Sequence, residues 1–331
     1  MTSTEGRRAD RQDTIAGGIA LRIAAAGLFS VMSALLKLAT THGVVAPELV
    51  FWRALFGLPV VVVWALTTQG GVASLKTQRP GVHVFRCVLG ISALMCNFQA
   101  LSMLALADAT TIGFTAPIFA TLLSGLILKE AVGRHRWAAV LIGFVGVAVV
   151  LHGGSGPHVG PSMVGVAVGL VGALGTAGVT VTLRQLKDTE QVAAIVFWFF
   201  VASIGVGAVL LPFFGSWHGP AVMALLAGGG VAGGLAQICM TASLRQAPVA
   251  VIAPFDYLQI VGAVLFGWWL MSTTPTMNTL AGAALIAASG LYTVWRERVR
   301  HRERMIQSTS APVWLPPPLI PAEAGTQCFG R

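Results

Sequence analysis

The chain is a succession of apolar runs, each about 20 residues long, the length that carries a helix across the hydrocarbon core of a bilayer. They lie near residues 15–39, 47–66, 82–104, 107–128, 135–152, 162–183, 192–211, 220–243, 248–271 and 276–295. The connections between them are short and leave no room for a soluble domain. In lipid every backbone N–H and C=O must be satisfied within the spanning segment, so runs of this kind are expected as helices. The sequence therefore predicts an all-α integral membrane protein with ten transmembrane helices.

Composition excludes the competing classes. Only 10% of the 331 residues are charged, against about 25% in globular chains. The mean hydropathy is +0.79, and 39 glycines suit spanning helices better than soluble ones. A net charge of +9 could point to nucleic acid, but the basic residues sit in short gaps and form no patch with interleaved aromatics. No nucleic-acid partner is expected. Cys87, Cys96, Cys239 and Cys328 have no paired spacing and read as small buried hydrophobes. The sequence has no HExxH, GxxxxGK[ST] or GxSxG motif and no Cys/His set at ligand spacing. An enzyme, a cofactor and a metal site are all unexpected.

The basic residues set the orientation. Arg7, Arg8 and Arg11 precede the first run; Lys76 and Arg79, Lys129, Arg134 and Arg136, Arg184 and Lys187, and Arg245 fall in every second connection; Arg296, Arg298, Arg300, Arg302 and Arg304 follow the last run. The alternate connections contain neither Lys nor Arg. The positive-inside rule then puts both termini in the cytoplasm of a multi-pass protein of the bacterial inner membrane. Residues 1–14 form a cytoplasmic N-terminal segment, and 296–331 a basic, then Pro-rich tail expected to be disordered.

The runs divide into two halves, 15–152 and 162–295. Phe51-Trp52-Arg53 in the second run answers Phe197-Trp198-Phe199 in the seventh, and Gly143 in the fifth answers Gly282 in the tenth. Five runs per half is an odd number, so the second half must lie upside down relative to the first. Two inverted five-helix repeats are a transporter architecture, with the substrate site near the midplane.

Particular residues also resemble the EamA-type family of the drug/metabolite transporter superfamily. These are Phe51-Trp52-Arg53-Ala54, the Leu-Ala-Asp-Ala-Thr run at 106–110, Phe114-Thr-Ala-Pro117 followed by Leu128-Lys-Glu130, and Ala253-Pro254-Phe255-Asp256-Tyr257. The likeness covers about residues 14–296. Its first half looks most like members proposed to move S-adenosylmethionine, riboflavin or opine-type metallophores. The glutamate usual before the last connection is replaced by Ser272-Thr273-Thr274-Pro275. The resemblance implies ten helices around a central cavity working by alternating access, with the third, fourth, eighth and ninth lining much of it.

Ionisable groups inside the runs are few, and each costs about 2.5–3.5 kcal/mol on insertion scales, so they are candidates for function. Asp256 can take up a proton, pair with a cationic substrate, or form a structural ion pair with an arginine on another helix. Arg53 can draw an anionic group inward, snorkel to headgroups, or bridge to Glu48. Arg22, Arg86 and Lys37 lie near run ends, where snorkelling is the simpler reading. Asn97, Gln99, Gln237 and Gln259 can serve as interhelical glue or as substrate ligands. Thr111, Phe114, Thr115 and Tyr257 are expected along a cavity wall. Phe114 and Trp198 could stack on a planar substrate or simply pack. Pro117 and Pro254 are hinge candidates, since each removes a backbone donor. Glu130 could latch the cytoplasmic face or form a plain surface ion pair.

These features predict a secondary, gradient-driven transporter of a small metabolite, with protons as candidate coupling ion, working as a monomer or homodimer. A drug or amino-acid exporter of the same fold is the alternative. An assembly factor or intramembrane enzyme is less well supported.

Overall fold

The computed structural model describes residues 3–68, 71–77, 79–127, 134–152, 162–186, 190–247 and 249–309. It is nearly all helical. Six of the expected spans are unbroken apolar stretches long enough to cross a membrane: Thr14–Thr41, Ala46–Thr68, Pro80–Met103, Met163–Thr182, Val192–Phe214 and Pro220–Gln246. They belong to α1 (Ser3–Thr41), α2 (Ala46–Thr68), α3 (Pro80–Met103), α7 (Met163–Leu186), α8 (Val192–Phe214) and α9 (Pro220–Gln246).

The fourth and ninth expected spans are interrupted. The fourth is α4 (Leu106–Gly113) followed, after Phe114-Thr115, by α5 (Ala116–Ile127). The ninth is α10 (Val249–Ile252), a 3₁₀ turn Ala253–Tyr257 and α11 (Leu258–Met271). Proline explains both breaks: Pro117 stands in the first turn of α5 and Pro254 at the start of the 3₁₀ turn, where a missing N–H costs least. The fifth and tenth expected spans fall on α6 (Arg134–Leu151) and α12 (Met277–Thr309), whose apolar stretches Val140–Val150 and Met277–Tyr292 are shorter.

α12 does not stop at 295. It continues through the basic residues to Thr309. Residues 310–331, with Cys328, lie outside the described residues, as do Lys129 and Glu130.

Packing relies on glycine. On α7, Gly165, Gly169, Gly172, Gly175 and Gly178 press on Met103, Ala100, Asn97, Ala93 and Leu89 of α3 and its C-terminus, so that a Cβ at Gly175 would stand 2.7 Å from the Ala93 Cβ. α9 packs on α1 through Gly229 and Gly233 and on α2 through Gly230 and Gly234. α6 and α12 cross where Gly146 and Gly282 bring each other's backbone carbonyls within 2.9 and 2.6 Å of a would-be Cβ. Small residues at such crossings supply the dispersion contact that replaces the hydrophobic effect in lipid. Further pairs are α2 with α8, α1 with α11 and α5 with α7. Large apolar side chains such as Phe85, Leu141, Trp268 and Trp269 stay exposed on the bundle, where lipid tails, unlike water, solvate them.

Candidate functional site

The two interrupted spans meet at their breaks. The Phe114 ring, at the α4–α5 junction, lies 5.0 Å from the Tyr257 ring at the end of the 3₁₀ turn, tilted by 34°. Thr115 is buried and spends its hydroxyl on the Ile112 carbonyl at 2.7 Å. Thr111 is fully buried, and among the described residues its hydroxyl has no hydrogen-bond partner. Tyr257 is half-buried, its hydroxyl set against Gly290 of α12, where any Cβ would collide with it. Gln259 follows, half-buried, in the first turn of α11.

Asp256 is committed to Arg22. The Arg22 Nε donates to Oδ1 and Nη2 to Oδ2, both at 2.5 Å, and Nη1 reaches the Met240 carbonyl at 3.4 Å. Arg22 is buried, not snorkelling. This fork-on-carboxylate geometry is the strongest ion pairing open to side chains. It ties α1 to the break in the ninth span.

A pair of cations lies elsewhere. Arg53 on α2 and Arg86 on α3 are both buried. The Arg53 guanidinium sits 5.4 Å from the centroid of Phe200, and that of Arg86 4.3 Å from Phe199. Arg53 does not bridge to Glu48, and Arg86 does not snorkel. Glu48 instead accepts the Val45 N–H at 2.9 Å, the Ser216 N–H at 2.7 Å and a contact from His218 Nε2 at 2.9 Å. At the other end of the bundle Glu190 accepts the Arg79 N–H at 3.0 Å and the Thr77 hydroxyl at 3.1 Å, with His83 Nε2 at 3.5 Å.

Other expected site residues are dispersed. Asn97 donates to the Thr176 hydroxyl at 3.2 Å and holds α3 to α7. Gln99 is exposed. Gln237 is buried on α9, one turn beyond Gly233, whose Cβ would lie 3.1 Å from Arg53 Nε. Trp198 leaves the interior: it is 38% exposed, and its indole N–H donates to the Leu75 carbonyl at 3.0 Å. That contact anchors the connection between α2 and α3, so stacking on a central substrate is not its place. Lys37 caps the last turn of α3, donating to the Leu101 carbonyl at 2.8 Å, where a cation suits the helix dipole. Asp108 is buried and accepts the Thr279 hydroxyl at 2.8 Å, joining α4 to α12. Among the described residues no three His, Cys, Asp or Glu gather as metal ligands.

Residues 16–152 match the EamA-like transporter family. The chain is 31% identical to the pseudopaline exporter of Pseudomonas aeruginosa across 84% of this chain and 95% of that one. It is 30% identical to the riboflavin transporter of Vibrio cholerae across 75% of this chain and 83% of that one. A solved crystal structure superposes with a TM-score of 0.62 at 20% identity over 86% of this chain and 98% of the other, which bears on the fold alone. With such identity to named transporters along nearly its whole helical length, the chain belongs to the EamA-like transporter family of the drug/metabolite superfamily: it is a multi-pass membrane transporter and not an enzyme.

Proposed function

We propose that this protein is a secondary, gradient-driven transporter that carries a small metabolite across the bacterial inner membrane by alternating access between two inverted five-helix repeats. The observation that carries this reading is the meeting of two interrupted helices at Phe114 and Tyr257. Broken helices expose backbone groups that continuous ones keep to themselves, and transporters place their sites at such points.

The helix pairing supports inverted repeats. Exchanging each span with the one five places on turns the α1–α9 contact into α7–α3, and α1–α11 into α7–α5. It leaves α2–α8 and α6–α12 as contacts of a span with its own counterpart. The same exchange relates two of the buried carboxylates. Glu48 at the start of α2 holds the segment before α9, and Glu190 before α8 holds the segment before α3. With both termini cytoplasmic, as the basic connections favour, the Glu48 cluster faces outward and the Glu190 cluster inward. Each is suited to close one end of the pathway.

Asp256 is the candidate for proton coupling, and in this reading a proton taken up by its carboxylate releases Arg22. Pro117 and Pro254 act as hinges at the two breaks. The likeness to the pseudopaline exporter supports export as the direction. Reconstituted vesicles loaded with candidate metabolites, drugs and amino acids test the whole: counterflow and dependence on a pH gradient are expected. No counterflow of any compound in the panel by folded protein, or full pH-gradient dependence retained in Asp256→Asn, would sink the transport or the coupling reading respectively.

A further inference from the structure

Arg53 and Arg86 are each only 3% exposed, yet among the described residues Arg53 Nη1 and Arg86 Nε and Nη1 have no hydrogen-bond partner. Among the described residues the carboxylates within the bundle are engaged elsewhere: Glu48 with His218, Asp108 with Thr279, Glu190 with Thr77 and Arg79, and the partly exposed Asp256 with Arg22. The rings beneath them, Phe200 and Phe199, have centroids 6.2 Å apart, so both guanidinium groups lie against the same turn of α8. An uncompensated pair of cations in a low-dielectric interior is a costly arrangement that a protein keeps only for a purpose.

The surroundings are built alike around each arginine. Phe199 and Phe200, consecutive on α8, each lie under one guanidinium. Four residues after each arginine comes a glycine, Gly57 or Gly90, and the space of its missing Cβ is taken by the edge of the same ring. Ring and glycine thus hold each guanidinium by a cation–π contact, while Arg53 Nε donates to the Met32 Sδ at 3.2 Å and Arg53 Nη1 and Arg86 Nε and Nη1 stay unengaged among the described residues.

We propose that Arg53 and Arg86 form the binding site for the anionic group of the transported metabolite, a carboxylate or phosphate carried by a soluble small molecule. The proposal rests on the transporter reading. A planar guanidinium fork matches both kinds of oxyanion. Two forks held beforehand by aromatic faces avoid the ordering cost that free side chains would bear. An oxyanion bound by these forks would satisfy donors that are otherwise orphaned. Helices α2, α3 and α8 bury both side chains, which favours a soluble anion over a lipid headgroup.

The test is thermal unfolding of the full-length protein in phosphatidylcholine nanodiscs with citrate, phosphate or chloride at matched ionic strength. Citrate or phosphate should raise the midpoint saturably where chloride does not, with apparent affinity weakened about tenfold or more in R53Q and in R86Q. R53K and R86K keep the charge, and should fold and still bind less tightly because the fork is gone. The proposal is overturned if neither anion outdoes chloride on the wild type, or if the lysine variants, together with every folded glutamine variant, bind as the wild type does. Stabilisation seen only when phosphatidylglycerol is added to the disc overturns it in favour of a headgroup. Binding needs no movement, so anion-dependent stabilisation without counterflow counts against the transport reading alone. Counterflow of neutral metabolites without anion stabilisation counts against this proposal alone.

Discussion

Arg22 and Asp256, 234 residues apart, meet through two parallel hydrogen bonds of 2.5 Å. Removing one partner strands the other in the interior, so Asp256→Ala is expected to cost about 3–5 kcal/mol. Arg22→Leu combined with Asp256→Ala removes both charges and should recover most of that loss. Denaturation midpoints of the two single variants and the double variant, treated as a cycle, give the coupling directly; additive effects would refute the pairing.

The two end clusters predict local and opposite responses. Glu48→Gln weakens the hold on Ser216 and His218, so amide exchange should rise around 216–223 and stay unchanged around 77–86. Glu190→Gln should do the reverse. Each loss is worth about 1–3 kcal/mol for the donors left unsatisfied. Hydrogen–deuterium exchange of the reconstituted protein reads both regions at once, and a rise at the same end in both variants would contradict the assignment.

Glycines on the crossings should be intolerant while others are not. At Gly282 a Cβ would meet the Gly146 carbonyl at 2.6 Å, a backbone atom that cannot step aside. Gly282→Ala is therefore expected to destabilise by about 1–3 kcal/mol, as overpacking does. Gly27 on α1 has nothing within 4 Å of its would-be Cβ. Gly27→Ala should be neutral or gain up to about 1 kcal/mol of helix propensity. Folded yield and unfolding midpoint in matched detergent separate the two.

Tyr257 and Gly290 give a rescue test. Gly290→Ala drives a methyl group into the Tyr257 hydroxyl and should disturb the ring held against Phe114. Tyr257→Phe removes the colliding oxygen and should restore part of the lost stability and counterflow. If the double variant is no better than Gly290→Ala, the clash is not what limits it.

The sequence disclosed the architecture more readily than the site. Apolar length is a local property that the bilayer itself reads, so six of the expected spans were legible directly as long apolar helices. The two prolines marked the breaks because a missing N–H acts on its own helix. Partners are different. Glu48 looked like a mate for Arg53, five residues away, but it takes His218, 170 residues on. Arg22 and Arg86 looked like snorkelling residues because distance along a helix says nothing about what packs over it. The motif R-x-x-x-G, present at Arg53–Gly57 and Arg86–Gly90, was the available sign that both arginines share a construction. Only the fold shows that one helix serves both.

That shared helix has a mechanical consequence. Phe199 and Phe200 are neighbours in sequence, so they project about 100° apart around the axis of α8. No turn of α8 can move one ring without moving the other by the same angle. The helix works like a camshaft with two lobes: whatever rotates it retimes both arginines together, without any contact between α2 and α3 having to change first.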